Sequence, residues 1–201
     1  MGKGLLIAVE GIDGAGKTTV ANFLFSYLKS IGYDVLLLKE PSDSIYGQKI
    51  KNSEERLPAE EELMLFLLDR EIDVKERIRP ALESGKIVIM DRYYYSNIAY
   101  QSARGIDAEK IRQLNEKFAP KPDLVILLDV SPETALRRIK PRGRITAFEA
   151  RDYLEKVRQN FLKIADERTV VVNAEKQIEE VKKEVSEIVK KLIDSYNSCG
   201  S

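Results

Sequence analysis

Eight residues near the start of the chain, Gly11-Ile12-Asp13-Gly14-Ala15-Gly16-Lys17-Thr18, constrain its folding more than any other stretch. They satisfy G-x-x-x-x-G-K-[ST] at every fixed position, a pattern that turns backbone N–H groups inward around phosphate oxygens. The flanks require a strand, a loop and a helix. Leu5-Leu6-Ile7-Ala8-Val9 is a short run of mostly branched apolar residues, as a buried strand needs. Beyond the loop, Val20, Phe23, Leu24, Tyr27 and Leu28 recur at helical spacing until Gly32. A helix opening at Lys17 aims the positive end of its dipole at a bound anion. Gly11, Ile12, Asp13, Gly14, Ala15, Gly16, Lys17, Thr18 and Thr19 are therefore expected to hold ATP, with Lys17 at the β- and γ-phosphates and the Thr18 hydroxyl on Mg²⁺.

The remaining chain continues the alternation. Residues 33–38, 86–90, 124–128 and 169–172 read as further strands, with a short helix ending near Asn52. Pro58, followed by Glu60, Glu61 and Glu62, opens a long helix expected to reach Gly85 and to bend near Pro80, which lacks an N–H. Helices are expected around 96–103, 107–118, 132–139 and 147–166, and Ile178, Val181, Val185, Ile188 and Leu192 mark a closing one. Asn197, Ser198 and Cys199 read as part of a frayed polar tail.

Five strands alternating with helices predict an α/β fold of the P-loop NTPase type, a three-layer sandwich with a five-stranded parallel sheet and helices on both faces. Residues 1–201 read as one domain, with a small arginine-rich lid at about 137–150. Ligands of such sheets bind beyond the carboxyl ends of the strands. The loop at 11–18, Glu40-Pro41, Asp91-Arg92 and Asp129 all fall at such ends.

Composition closes several other routes. Thirty-three basic residues balance 33 acidic ones, so no nucleic-acid or membrane surface is indicated. With no histidine and a single cysteine, a structural zinc site and a Ser-His-Asp triad are excluded. A lone cysteine suits a reducing cytoplasm, and the first apolar run is too short for a signal peptide or membrane span. A guanine-reading N-K-x-D is missing. Asn115-Glu116-Lys117-Phe118 lacks the aspartate and the preceding strand, which leaves kinases and ATPases.

Three clusters point to a second, smaller phosphorylated ligand. Asp91-Arg92 puts a carboxylate and a guanidinium at one strand end. Phe66 and Arg70, four apart, share a helix face and offer a ring and a fork donor. Residues 93–101 are dense in tyrosines and amides, suited to a planar base. Each cluster also has a plainer reading. Phe66 among Leu63, Leu65, Leu67 and Leu68 reads as core, and Arg70 as a solvated partner of Glu71 or Asp73. The tyrosines read as packing or as a dimer surface, and Arg137, Arg138, Arg142 and Arg144 as the coat of a helix.

The phosphate loop with its internal Asp13, Lys39-Glu40-Pro41, Phe66-Leu67-Leu68-Asp69-Arg70, Asp91-Arg92-Tyr93 and Ser96-Asn97-Ile98-Ala99-Tyr100-Gln101 together resemble the thymidylate kinases, and the similarity spans about 4–196. The resemblance implies transfer of the γ-phosphoryl group of ATP to thymidine monophosphate, with Mg²⁺, in a homodimer built on 63–68 and 93–103. It implies that Asp13 meets the sugar 3′-OH, Phe66 stacks on thymine and Arg70 reaches its 4-oxo group. Asn97 and Gln101 belong to the base site, and Tyr100 fills the space of a ribose 2′-OH. Arg92 grips the acceptor phosphate, and Asp91 joins Thr18 at Mg²⁺. One branch of the family carries an arginine within the phosphate loop. Gly14 stands here instead, so the resemblance places the catalytic arginine in the lid, at Arg142 or Arg144, beside Lys17 and Arg92. Ser42-Asp43 replaces the glycines or arginine that many members place after Glu-Pro, which leaves a phosphate contact from that loop open. Other nucleoside-monophosphate or deoxynucleoside kinases, or a nucleotide-binding regulator without transfer, are the alternatives.

Overall fold

The computed structural model describes residues 4–53, 56–139 and 147–199. Five strands, β1 (Leu5–Glu10), β2 (Val35–Lys39), β3 (Ile87–Asp91), β4 (Leu124–Asp129) and β5 (Thr169–Asn173), form one parallel sheet in the order β2-β3-β1-β4-β5. The helices are α1 (Lys17–Ser30), α2 (Ile45–Lys51), α3 (Ala59–Asp73), α4 (Arg79–Glu83), α5 (Tyr94–Ser102), α6 (Ala108–Glu116), α7 (Pro132–Arg138), α8 (Ala147–Ile164) and α9 (Ile178–Cys199). The three central strands are almost wholly buried, which explains why they read as unbroken apolar runs. The edge strands β2 and β5 are only part-buried, and Val170 and Val171 are exposed.

One expectation gains detail and another needs correction. The helix from Ala59, expected to bend near Pro80, runs on through that residue. It widens into a π-helical stretch, Val74–Ile78, that leads directly into α4. A π turn hands the carbonyls on by one residue, which absorbs the N–H that Pro80 lacks. The tail also stays helical as far as Cys199, because Val181, Val185, Val189 and Ile193 anchor α9 in the core.

Sheet register assembles the functional edge. Val9 lies level with Asp91, and Asp91 with Lys39. The next residue of each strand or strand end, Glu10, Arg92 and Glu40, therefore emerges side by side with the phosphate loop. Strand β1, between β3 and β4, is the point from which the strand order runs both ways, where open α/β sheets leave a crevice.

Candidate active site

The loop after β1 has the shape its sequence requires. Gly14 has φ 86°, and a Cβ there would stand 2.4 Å from the Ala135 carbonyl oxygen of α7. The close approach of α7, and not only the turn, excludes a side chain at 14. Ile12 and Ala15 are buried and anchor the loop, whereas Asp13, Thr18 and Thr19 are exposed. Lys17 folds back, its Nζ donating to the Ile12 carbonyl at 2.7 Å. Burial, helped by the nearby Arg92 charge, lowers its ammonium to about 7. An approaching polyphosphate supplies the negative charge that this buried cation lacks.

Beside it lies an oxygen-rich corner. The Thr18 hydroxyl donates to Asp91 Oδ2 at 2.6 Å, and Lys39 Nζ reaches the same two side chains at 3.1 and 3.3 Å. Asp91 Oδ1 is buried and has no partner among the described residues. The hydroxyl and the carboxylate with its spare oxygen are oxygen donors suited to Mg²⁺, and the Lys39 ammonium drawn to both shows that the pair attracts a cation. A cavity of ≈ 550 Å³ opens there, walled in part by Lys39, Pro41, Ser42 and Asp43. Ser42 has no donor left for phosphate, since its N–H and hydroxyl both go to Asp69, at 2.8 and 2.5 Å.

Asp13, Arg92 and Tyr100 form the second cluster. Arg92 pairs with the Asp13 carboxylate, donates to Ser96 Oγ at 3.2 Å and lies 5.3 Å over the Tyr100 ring. Asp13 N–H donates to the Tyr100 hydroxyl at 3.0 Å. Although the Asp13 side chain is half exposed, the protein packed around it works against ionisation, and the Arg92 and Lys17 charges outweigh this and hold its carboxyl below the usual range. Arg92 has φ 73°, a left-handed conformation costly for any residue with a Cβ.

Glu10, which sequence reading passed over, holds that strained turn. Its buried carboxylate accepts from Tyr93 N–H (2.8 Å), Ser96 N–H (3.2 Å) and Ser96 Oγ (2.5 Å), capping α5 from the end of a different strand. The only sequence signal was an ionisable residue ending an apolar run.

The base-reading candidates divide. Phe66 is half-buried and lies outside the hydrophobic core, so its ring is available, contrary to the core reading. Arg70 is no solvated partner of Glu71 or Asp73. It is 1% exposed and grips Glu40 with two nitrogens, Nε at 2.8 Å to Oε1 and a second contact to Oε2. Burial pushes the Glu40 carboxyl up to about 7 against the pull of Arg70. The Arg70 NH1 nitrogen turns to Asn97 and Asn115. Asn97 and Gln101, both buried, join across one helical turn at 2.9 Å. Tyr93, Tyr94 and Tyr95 contribute no base platform. They are 0–2% exposed and pack inward, Tyr95 donating to Asp166 at 2.7 Å beyond α8. Tyr100 is set edge-on to Phe161 and Tyr153 of α8, so its ring is held in place.

On the other flank of the loop, Asp129 binds Arg158 of α8 through two contacts, 2.6 and 2.9 Å. Arg138 NH2 donates to the Ala174 carbonyl at 3.0 Å and Arg137 NH2 to Thr134 Oγ1 at 2.7 Å. Arg142 and Arg144 lie outside the described residues.

The thymidylate kinase family profile matches residues 9–185. A probable thymidylate kinase of Archaeoglobus fulgidus is 64% identical over 190 residues, covering 94% of this chain and 97% of that protein. Another from Pyrococcus abyssi is 45% identical with the same coverage. The thymidylate kinase of Brachyspira hyodysenteriae is 44% identical over 79% of this chain and 80% of its own. A profile that spans both the phosphate loop and the acceptor clusters, with near full-length relatives on both sides, leaves one conclusion: the chain belongs to the thymidylate kinase family.

Proposed function

We propose that the protein transfers the γ-phosphoryl group of ATP to thymidine monophosphate, giving thymidine diphosphate for DNA precursor synthesis. The observation that carries the reading is the contact between the two substrate clusters. Asp13, inside the phosphate loop, is joined to Arg92 and Tyr100, so donor and acceptor sites share one edge. Lys17 supplies charge to the triphosphate, Arg92 grips the acceptor phosphate, and a lid arginine, Arg142 or Arg144, completes the field around the transferring group. Thr18 and Asp91 would hold Mg²⁺, which would supply charge neutralisation at the phosphates. The acceptor is already an anionic nucleophile, and the chain needs no strong general base. Phe66 stacks on thymine while Arg70, Asn97 and Gln101 read its edge. Tyr100, its ring fixed by α8, excludes a 2′-hydroxyl.

The reading extends to a single kinase domain with a lid at about 137–150 and to a cytoplasmic homodimer. A lone cysteine builds no disulfide framework. Much of the expected interface packs within one chain, since Leu63, Leu65, Leu67 and 93–99 are buried. Met64 and Ile45, on the packed helices α3 and α2, remain exposed apolar candidates. Light scattering at micromolar concentration decides, and a monomeric mass would refute the dimer. For the activity, a coupled assay across nucleoside monophosphates should show ATP turnover with thymidine monophosphate well above the cytidine and adenosine monophosphates. Equal use of all three would overturn the assignment.

A further inference from the structure

Behind the base-reading residues runs a chain of hydrogen bonds whose direction is set at both ends. At one end stands Asn115 of α6, fully buried. Its Oδ1 accepts from Arg70, which can only donate, and its Nδ2 donates to the Ile111 carbonyl at 2.8 Å, which can only accept. That leaves one orientation for the Asn115 amide. The second hydrogen of Nδ2 goes to Asn97 Oδ1 at 3.2 Å, where Arg70 NH1 also donates at 3.4 Å. Asn97 must then send its own nitrogen the other way, to Gln101 Oε1 at 2.9 Å. Gln101 Nε2 ends the chain on Glu62 Oε2 at 2.5 Å, a carboxylate that Arg104 NH1 also holds, at 2.7 Å.

The count of spare groups follows. Among the described residues, both lone pairs of Asn97 Oδ1 are taken, but one hydrogen of Asn97 Nδ2 has no acceptor. One lone pair of Gln101 Oε1 is free as well. Of the Arg70 hydrogens, Nε–H and one on NH2 serve Glu40 and both on NH1 serve the asparagines, which leaves the second on NH2. On the thymidylate reading, these two donors and one acceptor are what Arg70, Asn97 and Gln101 keep for the base. That set complements an imide edge, two carbonyl oxygens flanking an N–H, and it mismatches a 4-amino pyrimidine. Turning both amides round would set nitrogen against nitrogen at the Asn115 end and oxygen against carboxylate at the Glu62 end.

We propose that Asn115 and Glu62 are positioning residues that lock the Asn97 and Gln101 amides, from opposite ends, in the orientation that selects a thymine-type imide. The proposal rests on the thymidylate reading above. It assigns selectivity to two residues that need not touch the nucleotide.

The test uses near-isosteric changes. Asn115→Asp keeps the acceptor for Arg70 but removes both donors, so on that side only the long 3.4 Å contact from Arg70 still holds the Asn97 oxygen in place. Glu62 still opposes reversal of the two amides, because Gln101 Oε1 would face a carboxylate. Glu62→Gln lifts the opposition. Each single variant should lower the thymidine over deoxycytidine monophosphate ratio of kcat/KM by only a few-fold. The double variant should lower it by about tenfold or more beyond the product of the singles, mainly through KM, with kcat for thymidine monophosphate little changed. Thermal unfolding checks that each variant folds.

Glu62 is only partly buried, so Glu62→Lys and Glu62→Ala provide a second route that leaves the core intact. Lysine, a donor, should turn the Gln101 amide and erode selectivity by about tenfold, while alanine should leave it within about threefold. Independent effects with an unchanged ratio, or equal effects of lysine and alanine, would overturn the relay. A wild-type enzyme that fails to prefer thymidine monophosphate would take down the base-site reading and the relay together. A selective wild type with indifferent variants would remove the relay alone.

Discussion

The proposed base-reading side and the proposed phosphate side of the site are built on opposite plans. On the base side, Arg70, Glu40, Asn97, Asn115 and Gln101 are all 0–2% exposed, and almost every polar group is matched before a ligand arrives. On the phosphate side, Asp13, Thr18 and Lys39 stand in solvent, and the ions neutralise one another in pairs that ligand phosphates must exchange. A flat aromatic edge is recognised by direction, which calls for rigid, satisfied groups. A polyphosphate is recognised by charge, which calls for cations that can be redeployed. The first plan ties recognition to folding. The second frees it from folding.

Breaking the base side should therefore show first in stability. Arg70→Ala leaves Glu40 buried and alone, and removing one partner of such a pair costs roughly 3–5 kcal/mol. The cost should depend on pH. Glu40 titrates from 4.5 unfolded to about 7 folded, so its contribution is fully present below 4.5 and is lost as pH rises through 7. Without Arg70 the folded value rises further. Urea unfolding should show a larger deficit at pH 8 than at pH 5, and a deficit independent of pH would contradict the buried-pair account.

Lys17→Met probes the other side. The turnover of thymidine monophosphate should drop about 10²-fold or more, equivalent to roughly 3 kcal/mol of barrier, while the unfolding midpoint barely moves. Near-normal steady-state rates would sink the role given to the loop.

Tyr100 lies on the border, its ring packed on α8 and its hydroxyl bound to the loop. Tyr100→Ala should bring uridine monophosphate into use, narrowing the deoxyribose preference by about 1–3 kcal/mol, with a modest loss of stability. If uridine monophosphate remains excluded, the wall lies elsewhere.

The smallest effect sharpens the contrast. The Arg92–Asp13 pair is partly solvated, so its loss should cost under about 1 kcal/mol of stability. Arg92→Gly also relieves a left-handed φ. The glycine variant should unfold at or above the alanine variant's midpoint by about 1 kcal/mol, though both lose acceptor binding. An alanine variant that is the more stable would show that the turn stores no strain.

The sequence by itself determined the phosphate loop, the alternation of strands and helices, and the polar residues at the strand ends. Those features depend on neighbours along the chain: turn chemistry over eight residues, periods of two and 3.6, and caps within one helical turn. Tertiary structure decided the rest. Glu10 caps a helix 86 positions away, Arg70 finds Glu40 at a separation of 30, and Asn115 meets Arg70 at 45. No local window distinguishes a charged residue on a solvated helix face from one sealed against a strand end. Asn115 in particular carried no local signal beyond a failed guanine motif. Its role arises because strand order and register bring α3, α5 and α6 together around buried polar groups, where an unmatched donor or acceptor is costly.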